Sequence, residues 1–384
     1  RQRREPDVLL MPGDADVLLA TRFVFERAEA MGLPAVVNMS LGADFGPHDG
    51  TSTLEKGLEA FVGAKQPGRA IVVASGNSGV LYLAGDRTLG VHTDAHVVPG
   101  ATTRVPMRAP NLGKRKVIGS AYVWIGWNAG ESISVGLAGP EGDTWVSPVA
   151  PGDSAVWDSD DATVTVQVIN DMVYSGSPLT ADSRGAVLVL QGEWDADSEH
   201  ALLLEGEGTA DLWVQGTGDA AMGAGGTGEL FVGGIKQGTV NVPATSPGLI
   251  APSATLNRHE WKDAHDIEVK LASFGPQRPP IDDSLAYFSG AGPTRTGLMK
   301  PEISAPGAFV AAAMSRSADP SLNPQSMFAT SSDECPFGST NCLVVDGSHA
   351  VAVGTSMAAP MVAGAAALLL SLDPKLTQPE IVAL

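Results

Sequence analysis

The chain has 384 residues, of which 43% are hydrophobic and 17% are charged, a composition that excludes an intrinsically disordered protein and allows two or three folded domains. Its net charge of −19 argues against a nucleic-acid-binding protein, which would need a basic surface to displace the counterions of phosphate. The sequence contains no apolar run long enough to span a bilayer, so we predict no membrane span.

The first part of the chain alternates helix and strand patterns. A helical pattern follows Asp14, and the β-branched run at 35–39 predicts a buried strand. Ser52 and Glu55 have the spacing of a capping box and predict the start of a second helix, before a second apolar strand at 70–74. Helices that alternate with strands through short loops predict an α/β domain with a parallel sheet.

Near residue 100 the pattern changes to short alternating runs separated by Gly, Asp, Pro and Ser. This pattern predicts a separate β-sandwich over 101–237, with strands at 121–125, 132–135, 163–168, 186–190, 201–204, 210–214 and 229–232. Six of the seven tryptophans lie in this segment: Trp124, Trp127, Trp145, Trp157, Trp194 and Trp213. We expect them to fill the sandwich core, and a carbohydrate or peptide groove is the alternative.

From residue 238 the α/β pattern returns. Apolar runs at 247–251 and 309–313 predict two more strands. Thr377 and Glu380 form another capping box, but the chain stops after barely one turn of the helix that it predicts. We therefore expect the sequence to be truncated at its C-terminal end.

Two local features leave alternatives open. Cys335 and Cys342 are separated by six residues, and the sequence favours a disulfide and two free buried thiols about equally. The acidic stretch at 158–161 has the hard oxygen ligands that calcium prefers, but a solvated turn is the simpler interpretation. No spacing of His or Cys residues suggests zinc, so we expect no assignable metal or cofactor.

The sequence around Ser356 predicts a strand, a tight turn and a helix whose first residues include this serine. A helix N-terminus leaves backbone N–H groups unpaired, so a serine held there can attack a carbonyl while an N–H binds the oxyanion. An ordinary N-capping serine is the alternative for a bare Gly-Thr-Ser. The full string at 354–360, Gly-Thr-Ser-Met-Ala-Ala-Pro, resembles the nucleophile motif of the subtilisin-like serine proteases (subtilases). This resemblance implies that Ser356 is the nucleophile and that Thr355 lies at the substrate site.

The sequence Ala-Ser-Gly-Asn-Ser-Gly at 74–79 follows the second predicted strand. Taken alone, its Asn and Gly residues predict only a turn. The string is also similar to the subtilase motif in which Asn donates a side-chain hydrogen bond to the oxyanion. That resemblance assigns Asn77 to this role, together with the backbone N–H of Ser356.

Two further matches concern the substrate and the fold. The resemblance implies that Ser40, Leu41 and Gly42 bind the substrate backbone as an added β-strand. It also implies that Ala74, Ser75 and Gly76 line the pocket for the residue before the scissile bond, where their small size leaves room for a large apolar side chain. The string Ser-Ala-Pro-Gly at 304–307 matches a lesser family signature.

The four motifs occur in the family's order and imply a subtilisin-like, three-layer α/β domain in two parts, 1–100 and 238–384. The segment 101–237 is then an inserted, jelly-roll-like sandwich. An insertion at this place, with the loop Gly-Pro-His-Asp-Gly at 46–50, resembles the clostridial germination subtilases and related bacterial homologues, some of which are inactive.

The sequence departs from the family at the base and the acid. The family's Asp-(Ser/Thr)-Gly and His-Gly-Thr-His motifs precede the Ser-Leu-Gly strand, and nothing before residue 35 resembles them. His48 is interpreted as structural or substrate-side, and His349 lies on the strand before the turn, so neither is predicted to be the base. We expect both groups on an N-terminal segment that this chain lacks, which makes that segment a partner and this chain alone inactive.

The sequence thus predicts a secreted or cell-surface serine endopeptidase that acts on polypeptides, present here as a fragment. A catalytically inactive subtilase that serves as a binding or signalling scaffold is the alternative. A glycan-binding role of the sandwich is a third hypothesis.

Overall fold

The computed structural model describes residues 13–108, 116–173, 179, 184–196, 198–221, 228–275, 278–331, 335 and 340–384. The helices in these ranges are α1 (Asp14–Ala30), α2 (Thr53–Glu59), α3 (Thr355–Leu372) and α4 (Gln378–Ala383), with a 3₁₀ turn at Arg316–Ala318. The strands of the α/β part are β1 (Ala35–Met39), β2 (Arg69–Val73), β15 (Pro252–Leu256), β16 (Glu260–Lys262), β17 (Glu268–Lys270), β18 (Ile303–Ala308), β19 (Val310–Ala313), β20 (Val344–Asp346) and β21 (His349–Ala352). The strands of the antiparallel part are β3 (Tyr82–Ala84), β4 (Arg87–Gly90), β5 (His92–Val97), β6 (Thr103–Arg108), β7 (Lys116–Gly126), β8 (Ser132–Ala138), β9 (Thr144–Val149), β10 (Ser154–Asp158), β11 (Val164–Asn170), β12 (Gly185–Asp195), β13 (Glu199–Gly218) and β14 (Leu230–Val232).

The local signals of the α/β part lead to the elements that they predicted. The Ser52 hydroxyl accepts a hydrogen bond from the Glu55 amide, and the Glu55 carboxylate accepts one from the Ser52 amide, which starts α2. At the start of α4 the Glu380 carboxylate accepts hydrogen bonds from both the amide and the hydroxyl of Thr377. Both helices begin where a glutamate satisfies the backbone N–H of the residue three positions before it.

Short parallel pairings connect the strands of this part. Strand β1 pairs with β2 in parallel, and β15 pairs with β18 in parallel. The two pairs are linked by a single parallel bridge between Val72 and Ile250. The strand predicted at 247–251 is therefore wrong in extent, because this segment bonds to β2 only around Ile250 and the regular strand β15 starts at Pro252.

Helices cover both faces of the β1–β2 pair. Ile71 and Val73 point to one face and pack with residues of α1 and α2, including Phe25 and Leu58. The alternate residues of β2 point to the other face and pack against α3 and α4 through Ala359, Ala366, Leu370 and Ile381. The alternation of side chains along a strand thus gives β2 an apolar neighbour on each side.

Strand β13 joins the two layers of the antiparallel part, whose twelve described strands form one connected network. Its first half pairs with β6 and β8, and its second half pairs with β5 and β7. The change of layer falls at Gly206 and Gly208, both of which have positive φ. The runs at 201–204 and 210–214, predicted as two strands, are therefore one bent strand, because the glycines between them bend the chain without ending it.

The antiparallel part begins before residue 101. Strands β3 and β4 form a hairpin that joins β14, and β5 pairs with β13. The incoming and outgoing ends of this insertion lie side by side, since the amide of Ile235 donates to the carbonyl of His92 and the Thr88 hydroxyl donates to the carbonyl of Gly234. We accordingly place its start at Tyr82, because the hydrogen bonds of β3 to β5 belong to this network.

The tryptophans of the sandwich occupy several environments. Trp127 and Trp194 are buried in the core between the layers, as expected. Trp124 and Trp213 are also buried, but they lie on the outer face, where Phe45 of the α/β part joins their cluster. Trp145 and Trp157 are half-buried and stack on each other with centroids 4.5 Å apart.

Helix α3 contains a longer apolar stretch than the sequence predicted. It has 18 residues and is long and apolar enough to cross a membrane by length and composition alone. Core helices of other proteins share these properties, and here Ala358 and Ala359 are fully buried against strands on either side of the helix.

Cys335 and Cys342 form a disulfide. Both residues are buried in a small cluster that also contains Trp261 and Val351. The disulfide, one of the two alternatives left open by the sequence, is therefore the correct one.

Candidate active site

A backbone hydrogen bond to strand β18 holds the turn before Ser356 in place. Gly354 has φ +148°, a conformation that other residues rarely adopt, and its amide donates to the carbonyl of Gly307 at 2.8 Å. Helix α3 starts at the next residue, so Ser356 lies in its first turn with its backbone N–H unpaired within the helix. The sequence string at 304–307 thus supports the nucleophile turn directly.

The Asn77 side chain has a fixed orientation. Its carboxamide oxygen accepts hydrogen bonds from the Thr355 amide at 2.9 Å and the Thr355 hydroxyl at 3.2 Å. The amide nitrogen lies 3.2 Å, and the amide oxygen 3.7 Å, from the position that a Cβ on Gly354 would occupy. The backbone nitrogen of Ser356 lies 3.7 Å from the same point.

Two donors thus border an open space beside the serine, which the absence of a side chain at Gly354 leaves free. This is the arrangement that an oxyanion needs, because preorganised N–H donors stabilise the negative charge of a tetrahedral intermediate. Any side chain at position 354 would occupy that space.

Thr355 differs from its predicted role at the substrate site. Its side chain is buried, with 1% of the residue exposed, and its hydroxyl accepts a hydrogen bond from the Gly76 amide at 3.0 Å. The threonine therefore connects the Gly76 and Asn77 loop to the start of α3. It positions the oxyanion donor and does not offer its side chain to a ligand.

Ser40, Leu41 and Gly42 lie directly beside the serine. The Ser40 hydroxyl donates to the carbonyl of Ser356 at 2.7 Å, and the Ser356 hydroxyl is 3.5 Å from the carbonyl of Ser40. Leu41 is 39% exposed and Gly42 is exposed as well, so the backbone of this segment is accessible. An extended peptide could add to it as a β-strand.

The predicted apolar pocket between Gly42 and Gly76 is not formed. Ala74, Ser75 and Gly76 are buried, and the Asn241 side chain lies between the two walls. A Cβ built on Gly42 would come within 3.0 Å of the Asn241 Cβ, and one on Gly76 would overlap the Asn241 carboxamide. The prediction is wrong because the small residues of the walls accommodate Asn241 and do not leave empty space.

Asn241 is a site residue that sequence reasoning missed. Its backbone N–H donates to the carbonyl of Ser75 at 2.9 Å, and its side-chain nitrogen donates to the Asp44 carboxylate at 2.5 Å. The other carboxylate oxygen of Asp44 accepts a hydrogen bond from Ser78 at 2.7 Å. Burial raises the pKa of Asp44 from 3.8 to about 6, against the opposing effect of these hydrogen bonds.

His48 has a structural position. Its ring nitrogens contact the carbonyls of Val240 and Asp44, both at 2.8 Å, and its ring stacks on Trp213 with centroids 4.2 Å apart. Burial lowers the pKa of His48 from 6.5 to about 4, so the ring is neutral at pH 7. This histidine fastens the α/β part to the sandwich, in line with the structural interpretation of its loop.

A histidine base does not contact the serine in the part of the chain that the structure describes. The Ser356 hydroxyl has the Ser40 carbonyl as its neighbour, and His349 lies on β21 with its ring bonded to Asp346 at 2.9 Å. The acidic stretch at 158–161 is a turn in which Asp161 accepts hydrogen bonds from Ser159 and Thr163. Within the same described ranges, no group of three or more His, Cys, Asp or Glu residues could hold a metal ion.

Comparisons with known proteins give a family and a similar fold. The model of the subtilase family (peptidase S8) matches residues 25–384. Among solved structures, the chain is similar to the protease CspB of Clostridium perfringens, with a TM-score of 0.63 and 19% sequence identity. The match covers 99% of this chain and 66% of that one, so this chain spans just under two thirds of that protease. No curated protein sequence matches significantly.

Proposed function

The chain belongs to the subtilase family, and on that basis we propose that it is the larger part of a serine endopeptidase that cleaves polypeptides by acyl transfer to Ser356. The observation that carries this proposal is the fixed orientation of the Asn77 amide. Its nitrogen and the Ser356 N–H border one open space beside the nucleophile. An asparagine that served only a turn would not need its nitrogen directed there.

The residues of this chain would act in three ways. The Ser356 hydroxyl attacks the scissile carbonyl, and the carbonyl oxygen moves into the space between the two donors as it becomes negative. The Ser40–Gly42 segment aligns the peptide backbone as an added strand. Thr355 holds Asn77 and Gly76 in place. The proton of the serine then needs a base, and the base needs an orienting acid.

We propose that the base and the acid lie on a segment that precedes this chain in the longer protein. The support is the environment of β1, in which Ala35, Val36 and Val37 are only partly buried, whereas four of the five residues of β2 are buried. A buried parallel strand normally has neighbours at both edges, so a further strand beside β1 would complete a three-layer domain. Leu19 and Phe23 of α1, which are 61% and 68% exposed, add exposed apolar surface to the α/β part.

The test is to express the complete protein with Ser356→Ala and measure peptide hydrolysis and labelling by a serine-directed phosphonate. We expect both to be lost, while the variant stays folded because Ser356 is only half-buried. Hydrolysis that continues in the variant would refute the proposal. Co-expression of the preceding segment with this chain should restore activity that this chain alone lacks.

A catalytically inactive scaffold is the second candidate. The observation in its favour is that the neighbour of the Ser356 hydroxyl in the described residues is a backbone carbonyl and not a histidine. The sequence that precedes this chain discriminates the two, because the Asp and His motifs of the family would favour the enzyme. A location outside the cytoplasm, in the secreted fraction or at the cell surface, is proposed from the disulfide alone.

A further inference from the structure

A cavity of about 250 Å³ lies between the oxyanion loop and the sandwich. Asn77 and Ser78 line one side, and Val214 of β13 and Tyr82 of β3 line the other. Among the residues that line it, Asp44 has the acidic side chain, and the other polar side chains are neutral. The cavity therefore starts at the residue that binds the oxyanion and ends against the inserted domain.

Asp44 has no cationic partner among the residues that the structure describes. Each carboxylate oxygen accepts one hydrogen bond, from Asn241 and from Ser78, and both donors are neutral. His92 of β5, whose ring nitrogen lies 3.5 Å from the Asp211 carboxylate, is the titratable group that acts on the pKa of Asp44. A partly buried carboxylate is normally paired, because removing a charge from water is costly unless a counter-charge replaces the solvent.

We propose that this cavity receives a substrate side chain next to the scissile bond and that Asp44 selects a cationic one, lysine or arginine. This inference rests on the proposed function and specifies its substrate class. An ammonium or guanidinium group would give Asp44 the charge-assisted hydrogen bonds that its neutral partners do not. An acidic side chain would face a like charge, and an apolar one would leave the carboxylate desolvated and unpaired.

The position of Asn241 supports the same assignment. Its side chain occupies the space between Gly42 and Gly76, so the apolar pocket expected from the small residues is closed. The cavity beyond Asn77, whose apolar wall includes Val80, Val91 and Val214, is an open space that borders the oxyanion loop. The sandwich supplies Val214 and Tyr82 to its wall, which gives the insertion a role in substrate choice.

Peptide hydrolysis by the complete protease tests the assignment. Fluorogenic peptides that differ only in the residue before the scissile bond, with Lys, Arg, Gln or Leu, should be cleaved fastest with Lys or Arg. Asp44→Asn should lower kcat/KM for the Lys peptide by about 100-fold, in the range found when one partner of a buried charge pair is removed. The Leu peptide should change by less than about threefold. Asp94→Asn, which alters an exposed carboxylate of β5, is the matched control and should leave the preference intact.

A binding measurement separates this inference from the proposed function. Benzamidine, a small cation, should bind to the Ser356→Ala protein and lose at least about tenfold in affinity in Asp44→Asn. On the unaltered protein its affinity should be highest above pH 6 and fall below it, as Asp44 becomes protonated. This profile does not depend on whether a variant folds.

Each outcome has a consequence. Equal benzamidine affinity in Asp44→Asn, or a pH-independent affinity, would overturn the assignment even if peptides are cleaved. A preference for Leu over Lys would do the same. Benzamidine binding that depends on Asp44, in a complete protein that cleaves no peptide, would support the cation site and refute the protease function.

Discussion

Replacing Asn77 by alanine removes two kinds of interaction. The carboxamide oxygen accepts hydrogen bonds from the Thr355 amide and hydroxyl, whereas the nitrogen borders the open space beside Ser356. Loss of one oxyanion donor lowers kcat by about 10²–10³-fold, which corresponds to about 2.7–4 kcal/mol of transition-state stabilisation. Loss of the neutral hydrogen bonds at the start of α3 should lower the free energy of unfolding by about 1 kcal/mol.

Two further variants separate these effects. Asn77→Asp retains the oxygens that accept from Thr355, so its unfolding free energy should stay within about 1 kcal/mol of the original. Its kcat should fall at least as far as that of the alanine variant, because a carboxylate offers no N–H to the oxyanion. Thr355→Val is the converse control. It leaves the Gly76 amide without its acceptor and should cost about 1–3 kcal/mol of stability while both oxyanion donors remain.

The assay is steady-state hydrolysis of one peptide by the complete protease, with urea unfolding of each variant in the same buffer. KM should change little in Asn77→Ala, because the donor acts mainly on the transition state. A kcat within about threefold of the original for Asn77→Ala and Asn77→Asp would refute the oxyanion role. Asn77 would then be a structural residue of the turn.

Three other predictions concern stability. Between about pH 4 and pH 6 burial keeps Asp44 protonated and His48 neutral in the folded protein. As the pH rises through this window, the contribution of Asp44 to the unfolding free energy therefore falls, whereas that of His48 rises. In Asp44→Asn only the rising contribution of His48 remains. Urea titrations should therefore show the unfolding free energy of this variant, relative to that of the original protein, rising by about 2–3 kcal/mol across the window. A difference that does not change with pH would contradict the raised pKa of Asp44. Arg295→Met should lower the free energy of unfolding by about 3–5 kcal/mol, because buried Asp49 loses its ion pair at 2.9 Å. Adding Asp49→Leu should recover part of this loss. If the double variant is no more stable than Arg295→Met, the ion pair is not the cause. The disulfide closes a loop with a sequence separation of seven residues. Its reduction should lower the free energy of unfolding by about 2.5 kcal/mol. An unchanged thermal midpoint under reducing conditions would contradict this value.

The sequence predicted best the features whose causes are local. The strand at 35–39 and the cap at Ser52 and Glu55 depend on side chains within a few residues of each other, and both were found as predicted. The nucleophile turn was also predictable, since a glycine with positive φ and a helix start occur in one string. The order of the four motifs then fixed which loops would meet.

The sequence predicted less well what depends on distant contacts. Gly206 and Gly208 have the composition of a turn, but they bend one strand between two layers, and only pairing with β5 to β8 determines this. Asn241 fills the space beside Gly76 from the far side of the insertion, and no local pattern around it indicates that position. Small residues at a wall show that space is needed there, but not whether a ligand or another side chain fills it.

The adjacent ends of the insertion have a consequence for how the protein folds. Ile235 bonds to His92, and Asn241 bonds to Ser75, so the chain leaves and rejoins the α/β part at neighbouring points. Once the sandwich has formed, the residues at its two ends lie as close together as if a short loop joined them. Most of the entropic cost of closing this long loop then accompanies the folding of the sandwich itself. Folding of the sandwich before the α/β part would therefore bring the segments that carry Asn77 and Ser356 closer together.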